Sequence, residues 1–312
     1  MTELIFNILL VALVLAAGAW SILVRETMTA VIMFIAYGLL LSLAWVRLGA
    51  IDVALTEAAI GSGVTGMLLI AAAGKFAADP EACRMPALSS RLAAAVLSVG
   101  VATALGALVL LLPAEPVSLA GQAMQALPET GLGNPVAGVL FVFRAFDTLL
   151  EKVVLLLALL GVWSLARDED WGGAPALKPL AQPGGVLPLL ARTLPPAGIT
   201  YGIYMTWAGA DVPGGAFQGG TVLAAMWILL VLAGLTRFPA VSSMWLRAAV
   251  ATGPVVFLVI GLAGFLNPGL FLAYPEGFAK PLIVVMELAL TLSIAVILSL
   301  LVAGPPARPG AP

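Results

Sequence analysis

Histidine is absent, cysteine occurs once, at Cys83, and charge is scarce: lysine, arginine, aspartate and glutamate together make up 10% of 312 residues. Each shortage removes a class of chemistry. Without histidine the chain lacks the commonest metal ligand and the commonest acid–base group working near neutral pH. A lone thiol forms neither an intrachain disulfide nor a thiolate cluster. Zinc, haem and iron–sulfur sites, and Ser-His-Asp or Cys-His catalysis, therefore have no ligand set here, and no cofactor or resident metal is expected. A net charge of −2 is too small to draw nucleic acid. What takes the place of charge is apolar: 62% of residues are hydrophobic and the mean hydropathy is +1.13, the composition of a chain that lives in a bilayer.

A helix needs roughly 20 apolar residues to cross a hydrocarbon core. The qualifying stretches are 4–24, 28–46, 52–73, 92–113, 146–166, 186–208, 217–236, 246–266 and 281–303. The first has no basic leader and is followed at once by another, so it reads as a retained helix and not as a cleaved signal. With the N-terminus outside, the inner loops and C-terminus hold Arg25, Lys75, Arg84, Arg91, Arg167, Lys178, Arg192, Arg237, Arg247 and Arg308, against Arg47 and Lys280 outside. The positive-inside rule then places the N-terminus outside and the C-terminus in the cytoplasm. The expected fold class is all-α, a polytopic membrane protein with about nine transmembrane helices.

Two polar inner loops divide the chain. Residues 74–91 separate three helices from a pair, and 167–185, rich in glycine and proline, reads as a linker ahead of the last four. The expected units are 1–85, 86–170, a linker at 171–185, 186–304, and a proline-rich disordered tail at 305–312. No internal repeat is evident, so the inverted-repeat layout of many secondary transporters is not expected. The outer loop 114–134 carries Gln122, Gln125 and Glu129 and no basic residue. A helix unbroken from 135 to 166 would be about 48 Å long, more than a bilayer needs. Residues 135–145 are therefore expected to lie along the outer surface before the chain turns inward.

Ionised side chains inside apolar segments cost roughly 2.5 kcal/mol or more on insertion scales, and three segments hold them. Glu57 sits in VALTEAAIGSG, Arg144, Asp147, Glu151 and Lys152 in FRAFDTLLEKVV, and Glu287 in the last span. Arg144, Asp147 and Glu151 share one helical stripe; for Arg144 and Asp147 an ion pair anchoring the helix at the interface explains the spacing equally well. Glu151 and Lys152 lie deeper. In the expected topology Glu57, Glu151 and Glu287 occupy three inward-running helices at similar depth, roughly 8–10 Å below the outer end. The inner halves of those helices, 64–73, 153–166 and 288–303, have no ionisable residue. The chain can thus build the outer half of an ion path but not a complete one. The plainer reading of any one carboxylate is a hydrogen bond between helices. Around Glu57 the small residues Ala58, Ala59, Gly61, Ser62, Gly63 and Gly66 allow close helix approach, which means packing first and a source of counter-charge second.

Residues 209–220, GADVPGGAFQGG, form the outer turn between the sixth and seventh spans. Pro213 fixes one turn, and Gly214, Gly215, Gly219 and Gly220 permit positive φ or close backbone approach. The stretch has no lysine and lacks the spacing of a phosphate loop. A tightly packed turn is the plainer reading; a vestibule in which Asp211 attracts cations is the other.

VALTEAAIGSGVTG resembles the MbhD-type domain of membrane-bound hydrogenases and of the large Mrp antiporter subunit. FRAFDTLLEKVVLLLALLGV, residues 143–162, resembles the adjoining MbhE-type segment, whose pattern reads close to FRGFDTLGE. From about residue 186 the chain resembles the MrpB/MnhB family, with a hallmark near GHNxPGGGFxGG. On this resemblance 1–85 is an MbhD-like three-helix unit, 86–170 an MbhE-like unit with two transmembrane helices and an outer surface helix, and 186–304 an MnhB-like four-helix unit. It puts the family's buried acid on Glu57, its arginine, aspartate and following glutamate on Arg144, Asp147 and Glu151, and its glycine turn on Pro213, Gly214, Gly215, Phe217, Gly219 and Gly220. The family's histidine, asparagine and third glycine are replaced by Ala210, Asp211 and Ala216, and the second glutamate of typical Mrp antiporters by Gly61. The resemblance implies a multi-pass subunit, in a prokaryotic cell (inner) membrane, of a multi-subunit Mrp-type cation/proton antiporter related to the membrane arm of complex I. Glu57, Arg144, Asp147, Glu151, Lys152 and Glu287 would then serve ion translocation, Na+ or K+ and H+ would be the transported ions, and antiporter-like pump subunits the partners. The alternative is an ion-translocating membrane-arm subunit of a membrane-bound hydrogenase or another redox complex, where this chain again carries no cofactor. A pure scaffold is the third reading.

Overall fold

The computed structural model describes residues 1–77, 87–113, 117–175, 177–180, 185–266 and 269–307; Cys83, Arg84 and Arg308 lie outside them. Helices α1 (Thr2–Leu23) and α2 (Thr27–Arg47) form a hairpin. Glu26 caps α2 by accepting from the Thr29 N–H at 2.9 Å and from the Thr29 hydroxyl, which holds its carboxyl below the usual range. At the other end Arg47 pairs with Glu3 at 2.7 Å, donates to Asn7 at 3.1 Å and lies 5.5 Å from the Phe6 ring. The third span starts as α3 (Ile51–Thr56), widens into a π-helical stretch over Glu57–Val64 and resumes as α4 (Thr65–Ala77), packing on α2. Such stretches are rare and gather at functional sites.

Helix α5 (Leu88–Leu111) has no buried residue. The expected outer loop contains α6 (Ala120–Ala126) and a 3-10 turn at Leu127–Thr130, with Leu127 and Leu132 buried. Next come α7 (Pro135–Gly138), a second π-helical stretch over Val139–Phe143, and α8 (Ala145–Trp163). The helix breaks at Arg144, at φ −134° and ψ 35°, so the expected change of direction is present. One side of 135–145 packs into the protein: Ala137 and Phe141 are buried, Tyr274 donates its hydroxyl to the Phe141 carbonyl at 2.8 Å, and Thr148 donates to that of Leu140 at 2.6 Å. Burial pushes the Tyr274 phenol well above its ordinary range and keeps it a donor. The apolar face of this short segment goes into the bundle because Phe257 stands there, 6.3 Å from the Phe141 ring.

The last four helices, α9 (Val186–Ala208), α10 (Ala216–Leu232), α11 (Met244–Ala263) and α12 (Ala279–Ala303), form one unit, with α8 laid against α11 and α12. Helix α12 is the central post: Ile283, Met286, Leu290, Ile294, Ile297 and Leu300 are essentially inaccessible. Lipid is as apolar as leucine, so this packing rests on dispersion and close fit more than on water exclusion. Pro195 and Pro196 inside α9 and Pro254 inside α11 are tolerated as they commonly are in membrane helices.

The described part of the linker is docked. Strand β1 (Ala174–Pro175) pairs antiparallel with β2 (Pro306–Ala307), Val241 N–H donates to Gly173 O at 2.8 Å, and Leu180 N–H donates to Leu232 O at 2.8 Å. The expected disordered tail therefore begins with two paired residues; 308–312 lie outside the described residues. Among the described residues, six helical segments are long and apolar enough to cross a membrane: Thr2–Leu23, Thr27–Arg47, Ile51–Gly74, Leu88–Leu111, Met244–Ala263 and Ala279–Ala303. The other expected spans, α8, α9 and α10, are helical too but shorter or more polar.

Candidate functional site

Helices α3, α8, α10 and α12 enclose a cavity of about 260 Å³ whose polar wall is built by Asp52, Thr56, Glu151, Lys152, Gln218 and Glu287. A second cavity, of about 340 Å³, lies among the turns near residues 49–53, 133–136 and 211–213, and the two share Asp52, Val53, Asn134 and Val136. The two adjoin along these residues.

Lys152 is 4% exposed, with its ammonium 3.4 Å from Glu151 Oε2 and 3.6 Å from the centroid of the Phe217 ring. A carboxylate on one side and a ring face on the other compensate the lost water. Glu287, 2% exposed, comes from the central post. Its carboxyl accepts from the Ala216 N–H at the start of α10, the favourable end of a helix for an anion. Its Oε2 has no hydrogen-bond partner among the described residues. The carboxyl fits there because residue 215 is glycine: an added Cβ would lie 2.9 Å from Glu287 Oε1, and φ is +122°. Asp52 Oδ1 accepts from the Gly214 N–H at 2.9 Å, and Gln218 Nε2 donates to Thr56 Oγ1 at 3.0 Å.

The 209–220 turn holds this arrangement. Gly215 N–H donates to Met205 O at 2.9 Å, folding α10 back on α9, and a Cβ on Gly219 would sit 2.1 Å from Thr206 Oγ1 and 2.5 Å from Gly202 O. Asn134 ties the turn to α7: it donates to Gly209 O at 3.0 Å and Val212 O at 3.2 Å while capping Val136 N–H at 2.9 Å. Asp211, half exposed beside the second cavity, is bound by Lys280 at 2.6 and 2.8 Å. Three carboxyl groups and one amine line the cavity, a set that favours a cation over an anion.

Residues 10–78 match the family model for MbhD, a component of MBH, and residues 186–304 match that for a domain related to the MnhB subunit of Na+/H+ antiporter. The chain carries an MbhD domain and an MnhB-related domain. It is 32% identical over 168 residues to an uncharacterized protein of Methanocaldococcus jannaschii, a match covering 45% of this chain and 59% of that relative. It is similar to a chain in the structure of the Mrp complex from Dietzia sp. DQ12-45-1b, at a TM-score of 0.75 and 26% identity over 97% of this chain and 35% of that one. It also shares a fold with a chain of the membrane-bound sulfane sulfur reductase, an archaeal respiratory membrane complex, at a TM-score of 0.53 and 24% identity over 69% of this chain and 97% of that one. The chain thus spans only part of the Mrp-complex chain and of the archaeal relative.

The cavity is a seam. The MbhD domain contributes Asp52 and Thr56, the MnhB-related domain Phe217, Gln218 and Glu287, and the segment between them Asn134, Glu151 and Lys152. Glu151, Lys152 and Glu287 are thus brought together, while two other groups are not. Arg144 and Asp147 pair with each other at 2.6 Å, both exposed, as an anchoring pair would. Glu57 borders no part of the cavity; its carboxyl lies over Gly61 of its own helix and beside Gly38 of α2. Five polar lining residues escape a reading confined to charge in apolar runs: Asp52, Thr56, Asn134, Thr148 and Gln218. Asn134 had a signal, since asparagine before proline is a helix start, and Asp52 and Thr56, one turn apart, share a helix face just ahead of Glu57.

Proposed function

We propose that this chain is a membrane subunit of a multi-subunit Mrp-type antiporter of monovalent cations and protons, and that its own part is the outer ion-access path. Its nine long helices cross a prokaryotic cell membrane with the N-terminus outside, which puts the second cavity, the mouth of the path, on the outer side. The observation that carries the reading is the meeting of Glu151, Lys152 and Glu287 in one cavity reached past Asp52. A Na+ or K+ ion shedding water at the mouth finds carboxylates in its place. Lys152 is the resident competitor: its ammonium balances Glu151 and Glu287 until a cation or proton does so, and Phe217 gives it a resting place. Beyond Lys152 and Glu287 neither α8 nor α12 has an ionisable residue, so the path continues in partner subunits, the antiporter-like pump subunits foremost.

The MbhD match favours one second reading, a membrane-arm subunit of a redox-driven complex, in which the same path serves a different motor. Identification of the co-purifying subunits separates the two. For the path itself the test is Glu287→Gln in the assembled complex. Na+- and K+-dependent pH exchange in membrane vesicles, normalised to assembled complex, is expected to fall roughly tenfold or more, a barrier increase of about 1.4 kcal/mol. Exchange at the unaltered rate would take the cavity off the ion path.

A further inference from the structure

The π-helical stretch stands apart from the cavity, yet it holds a buried polar pair of its own. An ideal Cβ on Gly38 of α2 would lie 2.3 Å from Ser62 Oγ and 3.2 Å from Glu57 Oε1. The space between the two helices at this level exists only because residue 38 is glycine. Ser62 is 3% exposed, and its Oγ has no hydrogen-bond partner among the described residues, an arrangement that ordinarily carries a penalty. A Cβ on Gly61 would come within 2.2 Å of Glu57 Oε1, so the carboxyl is also seated by a glycine on its own helix. On α2, Arg47 is engaged by Glu3 and Tyr37 lies against Gly18, on α3 Asp52 accepts from Gly214, α10, which also packs on the stretch, has no ionisable residue, and on α4 the one ionisable residue, Lys75, comes about three turns after the stretch ends.

The geometry points to a second monovalent-cation site in this notch, with the Glu57 carboxylate and the Ser62 hydroxyl as its protein oxygen donors. The chemistry of the pair selects the ligand. A carboxylate in an apolar span needs its charge balanced. A water molecule uses the hydroxyl without balancing the charge, and a proton balances the charge by turning the carboxylate into a donor to that hydroxyl. A partly dehydrated alkali cation balances the charge and takes both oxygens as ligands, and the proton is the competitor from which a cation response at fixed pH separates it. Ser62 sets affinity, Gly38 provides the room, and none of the three residues lines the cavity that holds Lys152. It rests on the antiporter reading only for the identity of the ion.

The test is perfusion infrared difference spectroscopy on the assembled complex at fixed pH, exchanging choline chloride for sodium chloride or potassium chloride. The site requires a cation-induced carboxylate band that is absent in Glu57→Gln. The half-saturating cation concentration for that band is expected to rise about fivefold in Ser62→Ala, the effect of one lost hydroxyl contact, and the band to vanish in Gly38→Ala. No Glu57-dependent response to either cation, or a midpoint unchanged in Ser62→Ala, overturns the site. If Gly38→Ala does not assemble, Ser62→Ala still decides, since it removes a single oxygen. The two readings fail separately: unaltered exchange in Glu287→Gln would sink the cavity path and leave the cation response of Glu57 intact.

Discussion

An ammonium that is 4% exposed in an apolar bundle is held by what stands within 4 Å of it, and for Lys152 that is a carboxylate and the face of Phe217. Lys152→Met keeps the stem over the ring and deletes the charge. Assembly should persist, because Glu151 is 47% exposed and can keep its own solvation. Exchange should fall by roughly tenfold, a change of about 1.4 kcal/mol in barrier, measured as cation-dependent pH exchange per assembled complex. Lys152→Ala additionally opens a hole beside Phe217, and its thermal midpoint should drop below that of Lys152→Met by the equivalent of about 1–2 kcal/mol. Glu151, Lys152 and Glu287 were all visible in the sequence as charges inside apolar runs. Asp52 was not, because it stands at the edge of its span, where a carboxylate needs no special explanation until the Gly214 N–H is seen pointing at it.

The element that fixes the site is the 209–220 turn with its strap from Asn134. Asn134→Ala removes two donated bonds and one cap from a buried position, and should lower the stability of the purified complex by about 2–3 kcal/mol, read as a fall in thermal midpoint. Gly219→Ala should be at least as damaging, since its Cβ would sit 2.5 Å from a backbone carbonyl of α9 that cannot swing away. The turn was legible from its glycines, and the break near residue 145 from the excess length of the helix. The side to which Glu57 points was not. Projection at a constant 100° per residue assumes an unbroken α-helix, and Glu57 begins a stretch where the hydrogen bonds change register, with Thr65 N–H reaching Ile60 O. The same limit hid the inward side of Phe141 in the other π-helical stretch, Val139–Phe143.

At the scale of the whole molecule, two expectations follow from the topology and from the bare inner halves of α8 and α12. The full chain alone in proteoliposomes should exchange neither Na+ nor K+ for protons, and exchange should appear only with its partner subunits; robust exchange by the single chain would reveal a complete path within it. In a Cys83→Ser background, a cysteine replacing Val212 should react with an impermeant reagent from outside and one replacing Lys178 only from the cytoplasmic side. Outside labelling of position 178 would invert the orientation.

The central post is made well after α8. Lys152 leaves the ribosome about 135 residues before Glu287, on the order of ten seconds at ordinary rates of synthesis. During that interval α8 must enter the bilayer without the post that will bury it, and the charge available to Lys152 on its own helix is its neighbour, Glu151. The pair therefore has a role in biogenesis that precedes any ion traffic: it lets α8 insert nearly neutral. Glu151→Gln is expected to reduce the membrane-integrated fraction of newly made chain as well as exchange, whereas Glu287→Gln should spare integration, because by the time residue 287 is made α8 has long since been threaded. Carbonate-extractable chain in a pulse-labelling experiment would tell the two apart.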